Sequence, residues 1–274
     1  TMKAKQNPQF QYDIALHITI PNEFKKIAPM TVGYTAGIET TDISPKWAQK
    51  ANEIDKLIVV SEHSKYVFEN AAFDATQESD AATTPVKYSG VYKVNTPINA
   101  VGYPVKTFPE LPELPLELRT SVNFLCVAQF GPRKNIPNTL KYFVEEFHDE
   151  DVGLIIKTNM AKNCLMDREL MFEDLKRSLD EAFPDRKCVI YLLHGDMTDK
   201  EMHALYKHPK IQAFVCLSHG EGFGLPFFEA AYSGIPVICV NYSGQRDFLI
   251  DEEGNLQFYE VQHDLKEVQP ECVW

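Results

Sequence analysis

Nowhere in its 274 residues does this sequence hold an apolar run near the roughly 20 residues that a membrane-spanning helix needs. No such helix is expected. The opening TMKAKQNPQFQYD has no apolar core, so it does not read as a secretory leader. Cysteine pairs are missing too. Cys126, Cys164, Cys188, Cys216, Cys239 and Cys272 lie far apart with no C-x-x-C spacing, and Cys126, Cys188, Cys216 and Cys239 fall inside apolar runs. Reduced thiols in a cytoplasmic protein are the expectation. Cys216 and His219 form a C-x-x-H, but nothing supplies the further ligands that zinc needs. Excess positive charge is also absent, with 27 Lys and Arg against 39 Asp and Glu and a net charge of -12. Nucleic acid and anionic membrane would both be repelled, which argues against either as a general partner.

What is present is alternation. From residue 120 onward, apolar runs at 124–130, 152–157, 188–193, 211–217 and 235–240 read as buried strands. Between them lie helical patterns at 136–147, 168–183, 199–208 and 225–234. Thr198 and Glu201 make a capping box, Pro226 suits a first helical turn, and Gly234 suits a helix end. Strands that alternate with helices imply a doubly wound parallel sheet. The first part repeats the theme less regularly, with strands near 13–20, 31–35 and 56–61 and helices near 44–53 and 62–72. The stretch 76–95 reads as a turn-rich surface excursion, and Pro104, Pro109, Pro112 and Pro115 mark an extended linker. The expected organisation is a first α/β domain over 1–106, a Pro-rich linker over 107–119 and a second α/β domain over 120–274.

Two loops of the second domain carry chemistry. In a parallel sheet, ligands sit beyond the carboxyl ends of the strands. After the strand at 124–130 comes Gly131-Pro132-Arg133-Lys134-Asn135, where two cations beside a helix start suit a diphosphate. An exposed basic turn would look the same. After the strand at 211–217 comes HGEGFGLPFFEA. Glu221 lies in the loop, Gly222, Phe223 and Gly224 lead into a helix at Leu225, and Glu229 is expected in its first turn. A carboxylate can accept hydrogen bonds from two neighbouring hydroxyls, so the two glutamates suit a sugar and a ribose, with helix amides serving the phosphates between them. Glu229 alone could merely offset the helix dipole; Glu221 and the glycines need more explanation. A dinucleotide fingerprint does not fit, because this loop follows the fourth strand of its domain and the next strand ends Val240-Asn241.

EGFGLPFFEA, with Glu221 and Glu229 as an E-x7-E pair, resembles the signature of retaining glycosyltransferases of family 4. The likeness runs through 120–250, including GDMTDKEMHALY and PVICVNYSGQRDF, and more softly through 13–70 in HITIPNEF, TAGIETT and KLIVVSEHSKYVF. The resemblance implies a GT-B-like fold of two Rossmann-like, doubly wound parallel-sheet domains, the N-terminal one incomplete. It implies a metal-independent hexosyltransferase that moves a sugar from a nucleotide-diphosphate donor to an unknown acceptor with retention, and that needs no further cofactor. By the same likeness, Glu229 would hold the ribose and Glu221 the donor sugar. Amides of Phe223, Gly224 and Leu225 would face the diphosphate beside Gly131, Arg133 and Lys134. Backbone from Leu193 to Met197 would frame the nucleobase. Gln129 stands where the family usually has an arginine, and Arg133 could compensate. Asp149-Glu150-Asp151 spells a metal motif of another glycosyltransferase fold, but a solvated turn fits its place better. His17 falls where the resemblance puts an active-site histidine, and an ordinary strand histidine fits equally well.

Members of the family start with a strand and glycine-rich loop before the point where this sequence begins, and end with a helix that crosses back. The expectation is therefore a fragment or reduced relative with weak catalysis. A nucleotide-sugar-binding module without turnover is the alternative from another class. A related phosphorylase or epimerase is a third.

Overall fold

The computed structural model describes residues 12–74 and 91–268, which divide into two compact units. The first runs to Tyr103 and also takes in Glu221–Phe223. Its main sheet has four parallel strands: β1 (Ile14–Ile18), β2 (Met30–Tyr34), β3 (Lys56–Val59) and β6 (Ile98–Ala100), in the spatial order β1-β2-β3-β6. Helix α1 (Pro45–Ala51) starts where Ser44 accepts a hydrogen bond from the Lys46 amide and Pro45 sets the first turn. Helix α2 (Glu62–Asn70) starts where the Ser61 side chain accepts from the Ser64 amide. Ala48, Ala51, Leu57, Val59, Val67 and Phe68 pack with Phe24 as this unit's core.

A short antiparallel pair, β4 (Ala72–Asp74) and β5 (Val91–Lys93), lies apart from the main sheet. The expected surface excursion at 76–95 is thus partly corrected: 91–93 is strand, and 76–90 lies outside the described residues. Cys272 also lies outside them. One face of edge strand β1 is open, with Ile14, Leu16 and Ile18 exposed at 63%, 58% and 71%.

The second unit holds 104–220 and the chain from Gly224 onward. Its strands are β7 (Val122–Val127), β8 (Val152–Lys157), β9 (Val189–Leu193), β10 (Ile211–Val215), β11 (Val237–Val240) and β12 (Tyr259–Val261). They form one parallel sheet in the order β12-β11-β10-β7-β8-β9. Helices α3 (Ile136–Glu146), α4 (Leu165–Ala182), α5 (Asp199–Tyr206), α6 (Leu225–Ser233) and α7 (Arg246–Leu249) connect them. The Thr198–Glu201 capping box is complete, and Gly234 ends α6 with φ at 85°. The Pro-rich stretch carries no helix or strand, but its alternating Leu114, Leu116 and Leu118 pack against this unit's core.

The strand order places a topological switch between β7 and β10. Chain leaves β7 toward β8 on one side and leaves β10 toward β11 on the other. In open α/β sheets the crevice outside the carboxyl ends of two such strands is where ligands bind. Here the loops at those ends are 128–135 and 216–224.

Candidate functional site

The two loops are laced together. The His219 amide donates to the Arg133 carbonyl at 2.9 Å, and Arg133 Nη1 donates to the Gly220 carbonyl at 2.9 Å. Asn135 Nδ2 donates to the Leu217 carbonyl at 2.8 Å, and the Leu217 amide donates to Thr139 Oγ1 at 3.3 Å. Arg133 therefore has a structural duty beside any ligand duty: it ties the basic loop to the glycine-rich one. Pro132–Lys134 form a 3-10 turn, and Asn135 then takes the left-handed conformation, φ 52°, before α3 begins. Asparagine tolerates that conformation better than most residues. The sequence places Asn135 in this loop but gives it no role; the structure gives it the left-handed turn and the bond to Leu217.

Glycine 224 is also left-handed, φ 91°, and caps α6 at its amino end. The free amides of that end and its partial positive charge suit an anion. The helix starts at Leu225 with Pro226 in its first turn, so Glu229 lies in the second turn rather than the first. The first turn holds no acidic residue. This corrects the sequence expectation and removes dipole compensation as the reason for Glu229.

Glu229 is instead half-buried beside α5. Burial pushes its carboxyl up from the ordinary value, the Tyr206 hydroxyl and Lys106 pull it down, and Asp199 pushes it up. The Tyr206 hydroxyl is buried next to that carboxylate but forms no hydrogen bond of ordinary length. Lys106 pairs with Asp199 at 2.7 Å. A folded-state pKa raised above the unfolded one gives stability that is complete below the unfolded carboxyl range and is lost as pH rises through the raised value. Glu229→Gln cannot ionise. Its melting temperature should exceed the parent's at about pH 7.5, with the gain shrinking toward about pH 4.5. Thermal melts across that range test this; a variant less stable at both ends would contradict it.

Glu221, Gly222 and Phe223 belong to the packing of the first unit. Ser61 Oγ donates to the Gly222 carbonyl at 2.6 Å and pairs with Ser64 Oγ at 2.8 Å, which in turn accepts from the Ile38 amide at 2.8 Å. Gly222 and Gly37 touch backbone to backbone, and Phe223 meets Tyr103 edge-on with ring centroids 5.1 Å apart. Glu221 is buried at 5% exposure. Ser61, Ser64 and Gly37 are residues that sequence reasoning did not find. They lie more than 150 positions from Gly222, and no local pattern announces such a contact.

Leu193 ends β9, where its carbonyl accepts from the Thr158 amide at 3.1 Å, and both Leu193 and Met197 turn side chains toward the second core. Gly195, φ 109°, makes the turn between them. Gln129 reaches only the Met160 carbonyl, at 3.5 Å. The remaining candidates resolve simply. Cys216 is buried beside the free Cys126 thiol, whose pKa is pushed up by the neighbouring Cys216 and by burial, while His219 is exposed. Asp149 lies at the amino end of β8, 3.4 Å from His148 Nδ1 and 3.8 Å from Lys187 Nζ. His17 Nε2 bonds to the Lys25 carbonyl at 3.0 Å and its ring leans on Phe24. Among the described residues no group of three or more His, Cys, Asp or Glu could hold a metal, and no helix is long and apolar enough to cross a membrane.

Residues 117–267 match the family model described as "Glycosyl transferases group 1". No curated protein matches. Among solved structures, sucrose-phosphate synthase from Thermosynechococcus elongatus superposes with TM-score 0.62 at 15% identity, over 92% of this chain and 61% of its own. The apo structure of OtsA gives 0.61 at 12% identity, over 90% and 63%. The pneumococcal O-GlcNAc transferase GtfA, bound to UDP and GlcNAc, gives 0.56 at 17% identity, over 96% and 48%. The likeness establishes the GT-B fold, and this chain spans less than two thirds of each of these neighbours.

Proposed function

Because this chain belongs to the group 1 glycosyl transferases, we propose that it transfers a sugar from a nucleotide-diphosphate donor, with retention at the anomeric carbon and without a metal. One observation carries the reading: the switch point between β7 and β10 brings together a loop with Gly131, Arg133 and Lys134 before one helix and a loop with Gly220, Gly222 and Gly224 before another. Lys134, the amides at Leu225 and, in part, Arg133 stabilise the charge that develops on the departing diphosphate. The bond from the anomeric carbon to the phosphate oxygen breaks, and the diphosphate leaves with the electron pair. The acceptor hydroxyl attacks from the same face, and its proton passes to the departing phosphate oxygen. Glu229 holds the ribose and Glu221 the donor sugar. The free thiols Cys126, Cys164, Cys188, Cys216 and Cys239 support a reducing cytoplasm as the place of action.

The two glutamates provide the test. Glu229→Gln should weaken binding of a bare nucleoside diphosphate about tenfold or more, since a charged hydrogen bond to ribose is lost. Glu221→Gln should leave that affinity nearly intact and cut nucleoside diphosphate release from a nucleotide sugar. Titration calorimetry and a release assay, each run with EDTA and with manganese, read both. Equal loss of nucleotide binding in the two variants would sink the division of roles. Activity that vanishes with EDTA and returns with manganese would reverse the metal assignment. Tight donor binding without release would favour the non-catalytic binding module.

A further inference from the structure

Tyr206, the last residue of α5, is fully buried, yet its hydroxyl has no hydrogen-bond partner at ordinary length. Its ring is packed on aromatic neighbours. It leans on Phe214 with centroids 6.1 Å apart, and Phe214 in turn meets Phe227 of α6 edge-on at 5.2 Å. A phenylalanine would fill that space and leave no donor stranded. Buried polar groups are nearly always paired, so an unpaired one calls for a reason.

The reason lies across the contact between the two helices. One turn back on α5, His203 stacks on Tyr232 of α6 at 5.5 Å, and its Nδ1 lies 3.2 Å from Ser233 Oγ. Glu229 stands one turn from those two residues on the same face of α6, and so its carboxylate comes beside the Tyr206 hydroxyl. Glu229 is half-buried, and Lys106, the cation that faces it, pairs with Asp199 instead at 2.7 Å. A donor without an acceptor thus faces a carboxylate short of donors.

We propose that Tyr206 is a positioning residue: its hydroxyl is reserved for Glu229 and donates to that carboxylate when a donor nucleotide binds, holding it ionised and aimed at the ribose hydroxyls. This rests on the ribose role proposed above for Glu229. A carboxylate has about four acceptor sites on its two oxygens, so one bond from the phenol leaves room for both hydroxyls of a ribose. The same bond favours the charged form, which accepts more strongly than a neutral carboxyl. The other groups around Glu229 do not replace it. Asp199 of α5 repels the charge, and Lys106 is engaged. Burial pushes the phenols of Tyr206 and of Tyr232 up, so both stay protonated, and burial pushes His203 down, so it stays neutral.

The test is calorimetry on the full chain with the tightest binder among UDP, GDP, ADP and CDP, at about pH 6 and about pH 9. Burial raises the Glu229 pKa, so its part in binding is complete at high pH and is lost as pH falls through the raised value. Without the phenol that value rises further. Tyr206→Phe should therefore weaken binding about tenfold at the lower pH and about threefold or less at the higher. Its melting temperature without ligand should be no lower than the parent's, because an unpaired buried hydroxyl has been removed. In a Glu229→Gln background the loss should be equal at both pH values, because an amide does not titrate. An equal loss at both pH values in Tyr206→Phe alone would overturn the inference. So would a lower melting temperature with affinity unchanged, the mark of a purely structural hydroxyl. If Glu229→Gln binds as tightly as the parent, or if none of the four nucleotides binds, the ribose assignment itself falls and takes this inference with it.

Discussion

Replacing Gly37 by alanine is expected to lower turnover of a nucleotide-sugar donor about a hundredfold, with nucleoside diphosphate affinity kept within about twofold. A β-carbon on Gly37 would lie 2.3 Å from Gly222 Cα and 2.4 Å from its carbonyl carbon and oxygen. Those are backbone atoms and cannot swing aside as a side chain can. The segment Glu221–Phe223 must then move, and Glu221 moves with it. Displacements near 1 Å at reacting groups cost rate on that scale, whereas the nucleotide contacts proposed for Glu229 and the α6 amides belong to other residues. Gly222→Ala should act alike, since its β-carbon would come within 2.6 Å of Gly37 Cα. Ser61→Ala should be milder, removing the hydroxyl that donates to the Gly222 carbonyl, and Ser61→Thr should restore most of the loss. Single-turnover rates beside calorimetric affinities separate the two effects. Turnover near the parent's in Gly37→Ala would show that this contact does not hold the Glu221 segment.

That contact marks a boundary of what the sequence could disclose. The second unit was legible because β7, β8 and β10 are central strands covered on both faces, so they surface as continuous apolar runs such as FLCVAQF and VGLIIK. Strands β4, β5, β6 and β12 are three residues each, too short for any period to emerge. The four-residue α7 escaped for the same reason. Alternation pointed to a doubly wound sheet, but only the structure supplies the order that sets the basic loop and the glycine-rich loop at the switch between β7 and β10. Glu229 falls in the second turn because Leu225, Pro226, Phe227 and Phe228 precede it in α6 and fill the first turn.

The amino ends of the same strands carry the other large expected effect, and it should fall on stability alone. Asn123 is fully buried in β7. Its Oδ1 accepts from Thr120 Oγ1 at 2.5 Å, and its Nδ2 donates to the Thr120 carbonyl at 3.1 Å and the Lys210 carbonyl at 2.9 Å. Thr120 Oγ1 also lies 3.0 Å from the Tyr191 hydroxyl, so the network ties β7 to β9 and to the chain that enters β10. Gly153 of β8 completes the fit: a β-carbon there would come within 2.1 Å of Asn123 Oδ1. Asn123→Ala removes three hydrogen bonds and leaves buried groups without partners, a loss of about 2–4 kcal/mol. For a unit of this size that lowers the melting temperature by about 5–15 °C. Asn123→Asp should do no better, because a carboxylate would face two carbonyl oxygens. The ligand end of β7, Val127, lies four residues further on, about 13 Å away along the strand. Nucleoside diphosphate affinity, measured well below the melting transition, should therefore stay at the parent's value. A loss of affinity as large as the loss of stability would mean that the two ends of the sheet are coupled, and that the division between a structural amino edge and a ligand-binding carboxyl edge does not hold in this chain.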